Sequence, residues 1–207
     1  PGDKPDAARL QFLALLPLQN PIRANAPKTF AYFAKQGVQV KVISGDDPRA
    51  VSRVAAQAGI AGAENWVDAS QLQNDRELAK AAEQMTVFGR VTPEQKRKLV
   101  HALQAQHHTV AMTGDGVNDV LALKDADCGI AMASGAQAAT QVAQLVLLDS
   151  DFGALPAVVG EGRRVINNIQ RSASLFLVKN IFSLLLSVVA LCLPLAYPFK
   201  PLQLSLV

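Results

Sequence analysis

Thr109-Val-Ala-Met-Thr-Gly-Asp-Gly-Val-Asn-Asp-Val-Leu-Ala-Leu-Lys-Asp125 carries three signals in one run. Its opening, Thr109–Met112, is apolar and strand-like, and Asn118–Asp125 has the spacing of an amphipathic helix. Between them, Gly114-Asp-Gly-Val-Asn-Asp119 sets two carboxylates four residues apart around an amide, on a turn loosened by two glycines. Carboxylate and amide oxygens are hard ligands suited to Mg²⁺, and a helix start beside them favours a phosphate. Taken alone, the hexapeptide also fits a solvated surface turn.

The same alternation extends on both sides. Apolar runs at Leu10–Leu16, Val38–Ile43, Thr86–Phe88, Cys128–Ala131 and Leu145–Leu148 are interleaved with amphipathic stretches at Ala26–Gln36, Pro48–Ala58, Glu77–Gln84, Pro93–Gln104 and Gln137–Gln144. This pattern predicts an α/β domain whose parallel sheet is covered on both faces. Asp47-Pro48 and Thr92-Pro-Glu-Gln95 supply helix caps before first-turn prolines, the second with glutamine at capping-box spacing. Trp66 and the stretch Asp68–Glu83 read as a surface excursion.

Ligands of open parallel sheets gather beyond the carboxyl ends of the strands, here Ser44-Gly45-Asp46, Arg90 and the 114–119 turn. No GxxxxGK[ST] is present, and the only approach to GxGxxG ends in Asp119. Ser44 can offer a hydroxyl and backbone N–H groups to phosphate oxygens. Lys96, in the first turn of a capped helix, opposes the helix dipole, a placement tolerated on a solvated face or useful where a phosphate must be neutralised.

With 50% hydrophobic and 18% charged residues and only two cysteines in 207, the chain is neither disordered nor disulfide-stapled. Residues 1–160 carry 15 Lys+Arg against 16 Asp+Glu, whereas residues 161–207 carry five against one, so the excess positive charge belongs to the tail. A folded part near neutrality with few aromatics argues against nucleic acid as a partner. Cys128 and Cys192 stand too far apart for a CxxC site and read as reduced, buried thiols. His101, His107 and His108 flank a helix end and a strand start, where solvated or capping roles are expected. The N-terminus has no signal-peptide pattern and reads as cut from something longer; Leu202–Val207 likewise reads as a further apolar segment stopped short.

From Asn180 to Phe199 there are 20 consecutive uncharged residues, about 30 Å of helix, which matches a hydrocarbon core. A buried core helix is the alternative. Pro194 suits a helix finishing at an interface. Arg163, Arg164, Arg171 and Lys179 precede the run and only Lys200 follows it, so residues 1 to about 175 are expected in the cytoplasm. Helix-compatible sequence between Leu155 and Leu193 predicts one stalk running from cytosol into bilayer, interrupted only at Gly160 and Gly162.

A strand-end Ser, a downstream Lys at a helix start and a paired-Asp loop, in that order in an α/β chain, resemble the haloacid dehalogenase-like phosphotransferase superfamily. Val42-Ile-Ser-Gly-Asp46, Phe88-Gly-Arg-Val-Thr-Pro-Glu-Gln-Lys96 and Met112-Thr-Gly-Asp-Gly-Val-Asn-Asp119, followed by Ala122-Leu-Lys-Asp-Ala-Asp127 and Gly129-Ile-Ala-Met132, further resemble a P-type (E1-E2) cation-transporting ATPase of a bacterial general cation pump branch. The resemblance begins near Leu15, with Leu16-Pro-Leu-Gln-Asn-Pro-Ile-Arg23 similar to the segment returning from the nucleotide domain, and runs through Ile166-Asn-Asn168 into the apolar run.

It implies a haloacid dehalogenase-like, doubly wound, mostly parallel but incomplete sheet followed by a long stalk and transmembrane helix. Residues 1–14 would end the nucleotide-binding domain, 15–153 form the second segment of the phosphorylation domain, 154–197 the stalk and fifth transmembrane helix, and 198–207 an extracytoplasmic turn opening the next helix. Asp115 would bind Mg²⁺ with Asp119 beside it; Asn118 and Ser44 would hydrogen-bond the phosphoryl group, Ser44 in place of the family's threonine; Lys96 would neutralise its oxygens. Gly45, Asp46 and Arg90 would lie along the path of ATP. The setting implied is the plasma membrane, with the lipid bilayer and the remaining segments of the same pump as partners.

The family's phosphorylated Asp-Lys-Thr-Gly-Thr, its nucleotide-binding domain and its PEGL-type broken helix are not in this sequence, so the chain alone is expected not to turn over ATP. Asn20 stands where the family has aspartate, and Val120-Leu121 where many members have Ala-Pro. Asn180 and Ser183 share a helical face and could lend oxygens to a transported cation, with Lys179 a counter-charge or a snorkelling anchor. Without a Cys-Pro-Cys or Cys-Pro-His, the cargo expected is Ca²⁺ or Mg²⁺. A soluble phosphatase of the same superfamily and a non-catalytic membrane-anchored remnant are the rival readings.

Overall fold

The computed structural model describes residues 21–193 together with Ala14; Asn20, Pro194 and Leu202–Val207 lie outside them. Among the described residues seven α-helices and six strands alternate: α1 (Ala26–Lys35), β1 (Val42–Ile43), α2 (Pro48–Gln57), β2 (Trp66–Asp68), α3 (Asp75–Gln84), β3 (Val87–Gly89), α4 (Pro93–Ala105), β4 (Ala111–Gly114), α5 (Val120–Asp125), β5 (Cys128–Met132), α6 (Gln137–Val142), β6 (Leu145–Leu147) and α7 (Leu155–Cys192). They build two three-stranded sheets, ordered β1-β3-β2 and β4-β5-β6, and every strand pair is parallel. The central strands are the most buried, with Val87 and Phe88 fully enclosed in β3 and Gly129, Ile130 and Ala131 buried in β5. Among the described residues β1, β2, β4 and β6 are edge strands, each paired on one side only.

Helix α4 joins the two sheets. Its start follows from chemistry: Thr92 Oγ1 accepts from the Gln95 amide and the Gln95 side chain accepts from the Thr92 amide, with Pro93 in the first turn. Two successive residues, about 100° apart around the helix axis, then serve different sheets. Leu99, 1% exposed, packs with Phe88, Leu78, Ala81 and Ala82 beside the first sheet, and Val100, 1% exposed, packs with Met112, Ala122 and Leu123 beside the second. Lys96 lies one turn before Val100, on the face turned to the second sheet.

The expected surface excursion after Trp66 is corrected. Trp66–Asp68 is strand β2, in register with β3 from Val87 to Gly89, and Leu78, Ala81 and Ala82 of α3 are buried in the core. The reason is length: a three-residue edge strand shows too little apolar alternation to stand out, so the amphipathic stretch at Glu77–Gln84 has no visible strand partner in the sequence. Cys192 is also corrected, being exposed on α7, while Cys128 is half-buried.

Helix α7 has 38 residues, about 57 Å at 1.5 Å per residue. Only Leu155 is buried; Leu175 to Val178, Ile181, Phe182, Leu184 and Leu185 are all exposed, and none of its most apolar 18-residue stretch is buried. A core helix of a soluble domain would be mostly covered, so the helix is long and apolar enough to cross a membrane by length and composition.

Candidate functional site

Parallel pairing sends the carboxyl ends of β1, β2 and β3 to one side, bringing Ser44, Asp68 and Arg90 together. The Ser44 amide donates to the Phe88 carbonyl (2.9 Å) and its carbonyl accepts from Val91 N (3.0 Å), so the loops after β1 and β3 are laced to each other. Ser44 Oγ accepts from Asp46 N (3.1 Å) and donates to Asp46 Oδ2 (3.3 Å), which folds the Ser44-Gly45-Asp46 turn onto itself. Gly89 must be glycine there, since a Cβ would stand 2.4 Å from Pro48 Cα.

Arg90 adopts φ +53°, a left-handed conformation that an arginine takes only under restraint. The restraint is visible: its amide donates to the Asp46 carbonyl (2.8 Å), Nη1 meets Asp68 Oδ2 (2.9 Å) and Nη2 meets Asp47 Oδ2 (3.0 Å). Sequence reasoning missed Asp68, which is 7% exposed. Its carboxyl is held below the usual carboxylate range first by the Ser70 hydroxyl and then by the Ser70 amide and Arg90. The available signal was an Asp-x-Ser turn at a strand end.

The second sheet contributes the paired-Asp turn. Lys96 Nζ lies 2.6 Å from Asp119 Oδ1, with both side chains nearly buried, while Asp119 Oδ2 accepts from Gly116 N (3.2 Å). Gly114 makes this approach feasible, because a Cβ there would fall 2.6 Å from Asp119 Cβ. Asp115 and Asn118 have exposed side chains. The backbone of Asp115 is nevertheless fixed: its carbonyl accepts from Ala136 N (2.7 Å), and Gly135 packs so closely that a Cβ would lie 2.5 Å from that oxygen. Thus Lys96, Asp115, Asn118 and Asp119 gather around one turn, and the 92–96 segment ties them to the loops that carry Ser44, Gly45, Asp46 and Arg90.

Among the described residues no group of three or more His, Cys, Asp or Glu could hold a metal by protein ligands alone. Mg²⁺ does not require one, since it keeps several waters and commonly takes one or two carboxylates plus phosphate oxygens. The exposed Asp115 carboxylate, with Asp119 beside it, fits that donor set. Both Asp119 oxygens are already engaged, so Asp115 has the freer carboxylate of the two.

Elsewhere, His101 Nε2 lies 2.8 Å from Asp125 Oδ2, and Arg97 Nε bonds the same oxygen. Arg97 is the largest influence keeping the Asp125 carboxyl below its usual range. On α7, Asn180 is exposed and Ser183 half-buried, with the Ser187 hydroxyl donating to the Ser183 carbonyl (2.9 Å). These two lie far along the helix from the paired-Asp turn.

Comparison with known proteins gives this arrangement relatives. The chain is 50% identical over 99% of its length to the calcium-transporting ATPase CtpE of Mycolicibacterium smegmatis, and 46% identical over 96% of its length to the probable cation-transporting ATPase exp7 of Streptococcus pneumoniae. It spans about a quarter of those proteins, 27% and 26% respectively. A solved zinc-transporting PIB-type ATPase superposes with a TM-score of 0.67 at 27% identity, over 83% of this chain and 24% of that one. The model of the haloacid dehalogenase-like hydrolase family matches residues 1–127. The chain belongs to the haloacid dehalogenase-like hydrolase family.

Proposed function

We propose that this chain is the distal part of the phosphorylation domain of a cation-transporting P-type ATPase, with α7 as the stalk and transmembrane helix that follows it. The observation that carries the reading is the Lys96–Asp119 pair: it holds a cation and an adjoining free carboxylate, Asp115, at the mouth of two parallel sheets. Phosphoryl transfer asks chiefly for charge neutralisation and positioning. In this reading Lys96 faces the phosphoryl oxygens, Asn118 and Ser44 hydrogen-bond them, and Asp115 with Asp119 holds Mg²⁺, which supplies charge neutralisation between ATP phosphates and protein. Ser44 would exchange its bond to Asp46 for one to phosphate. Gly45, Asp46 and Arg90 would line the approach of ATP. The high identity to pumps over nearly the whole chain supports this assignment, and the exposed apolar α7 supports a bilayer setting, with residues before about 175 in the cytoplasm.

Ca²⁺ is the cargo we favour, because relatives at 50–52% identity are calcium-transporting ATPases. Asn180 and Ser183 are candidate oxygen donors on α7. The 207 residues alone contain no Asp-Lys-Thr-Gly-Thr and are expected to be inactive without the other segments of the pump. The test is acid-stable phosphoenzyme formation from ATP by the complete protein in membrane vesicles, with Ca²⁺ uptake measured alongside. Ca²⁺-dependent phosphoenzyme that Asp115→Asn abolishes supports the reading; ATP-independent phosphatase activity with no phosphoenzyme would overturn it.

A further inference from the structure

Outside the paired-Asp turn, one carboxylate joins segments 126 residues apart. Asp151 stands just before α7. Asn25 Nδ2 donates to both of its oxygens, at 3.1 and 3.0 Å, and Gly153 N donates to Oδ1 at 2.8 Å. Arg23 Nη1 lies 3.6 Å from Oδ1 and donates to the Ser150 carbonyl at 3.1 Å. Ser150 holds φ +50°, and its hydroxyl accepts from the Ser134 amide (2.9 Å), so the turn is also pinned to the loop after β5. Gly153 presses against the same junction: a Cβ there would come within 2.2 Å of Asn25 Nδ2. Beside it, the Phe152 ring sits 5.6 Å from Phe30 and 5.8 Å from Phe33 of α1, and Leu155 is buried with Ile130 and Leu147. Beyond this junction α7 is exposed from Gly160 to Val178.

We propose that Asp151 is a positioning residue that latches the start of α7 to the incoming chain at Arg23–Asn25, so that the domain and the helix move as one body. Hydrogen bonds to an ionised group are the strong, directional kind, and the Gly153 and Asn25 amides, with Arg23, hold the Asp151 carboxyl below the usual carboxylate range. An apolar contact alone would let the helix pivot on the phenylalanine cluster. The latch fixes its angle. The part played in transport rests on the pump reading above; the positioning itself does not.

The experiment uses the complete protein in vesicles, comparing wild type with Asp151→Ala, Gly153→Ala and the exchanged pair Asn25→Asp/Asp151→Asn. Phosphoenzyme level and Ca²⁺ moved per ATP are measured. In a background of the complete protein with every native cysteine replaced, Cys128 and Cys192 included, nitroxide labels at Lys28→Cys and Ala157→Cys report the spread of distances between α1 and α7. Asp151→Ala and Gly153→Ala are expected to keep phosphoenzyme, broaden the distance distribution and lower Ca²⁺ per ATP at least about fivefold, the lower end of ordinary coupling between sites. The exchanged pair restores the donor and acceptor and should recover the narrow distribution. A distribution as narrow in Asp151→Ala and Gly153→Ala as in wild type overturns the proposal, and so does a wild-type Ca²⁺-to-ATP ratio in both. If wild type forms no phosphoenzyme, the pump reading fails, and the distance measurements still decide the latch. Should Asp151→Ala not accumulate, Gly153→Ala and the exchanged pair give the same decision.

Discussion

Lys96 Nζ and Asp119 Oδ1 are 2.6 Å apart, and their side chains are only 13% and 10% exposed. Lys96 belongs to α4, whose capping box is built against the first sheet, and Asp119 to the turn that follows β4 of the second. The pair therefore does two jobs: it closes the space between the sheets and leaves a lysine beside the exposed Asp115. Removing either partner strands a charge in a poorly hydrated place.

Lys96→Ala is accordingly expected to destabilise the domain by about 3 kcal/mol, the cost of leaving a buried carboxylate unpaired. Lys96→Met with Asp119→Leu should recover most of that stability, since an apolar pair of similar size replaces a desolvated one. Neither should form phosphoenzyme in the complete protein. Urea melts followed by circular dichroism separate the two effects. A double variant as unstable as Lys96→Ala would count against the pairing argument.

Gly135→Ala tests how Asp115 is held without altering any charge. The new Cβ would meet the Asp115 carbonyl oxygen at 2.5 Å and its Cα at 2.9 Å, and backbone cannot swing aside as a side chain can. Overpacking of this kind costs about 1–3 kcal/mol, and the displaced turn should bind Mg²⁺ more weakly. Calorimetric titration with Mg²⁺ measures it. Wild-type affinity in the variant would mean that the 133–136 loop does not set the position of Asp115.

Much of this was legible in the sequence, for reasons that differ by element. The Thr92 capping box and the Asp47 cap are local chemistry, and both form as read, Asp47 accepting from Arg49 N at 3.0 Å. The Gly114–Asp119 turn is equally local. Strand lengths were not legible: Val38–Ile43 reads as a strand of six, yet only Val42 and Ile43 join the ladder. Their partner β3 is three residues long, and Lys41 turns its ammonium to the Met85 carbonyl at 2.7 Å. Asp68 was hidden because its importance comes from Arg90, 22 residues later, and only the parallel register of β2 and β3 brings them together.

Thr92→Ala removes the acceptor for the Gln95 amide and breaks the reciprocal bond. Loss of such a cap costs about 1 kcal/mol, or about 2–4 °C in Tm for a chain of this size. Because Gln95 Nε2 also donates to the Ala69 carbonyl at 2.8 Å, the substitution should loosen the loop after β2 as well. Hydrogen exchange at residues 69–72 reads that second effect. Faster exchange there, alongside the lower Tm, is expected; a lower Tm with unchanged exchange would confine the cap to its own helix.

Acid should unfold the domain through its hydrogen-bonded aspartates. Asp68, Asp125, Asp127 and Asp151 all have carboxyls shifted below the ordinary value of 3.8, by bonds from Ser70, Arg97, Val110 and Gly153 in turn. The unfolded chain takes up protons at 3.8, whereas the folded one resists until a lower pH. Below 3.8 the unfolded state therefore binds more protons, and stability falls as pH falls through the folded values. Above about pH 5 both states are ionised and these groups contribute a constant amount. Asp68→Asn should lower stability at neutral pH and flatten the decline below about pH 4, because one proton-linked group has been removed. Thermal melts of wild type and variant across that window decide the matter: parallel curves would show that the Ser70 and Arg90 bonds to Asp68 do not differ between folded and unfolded chains.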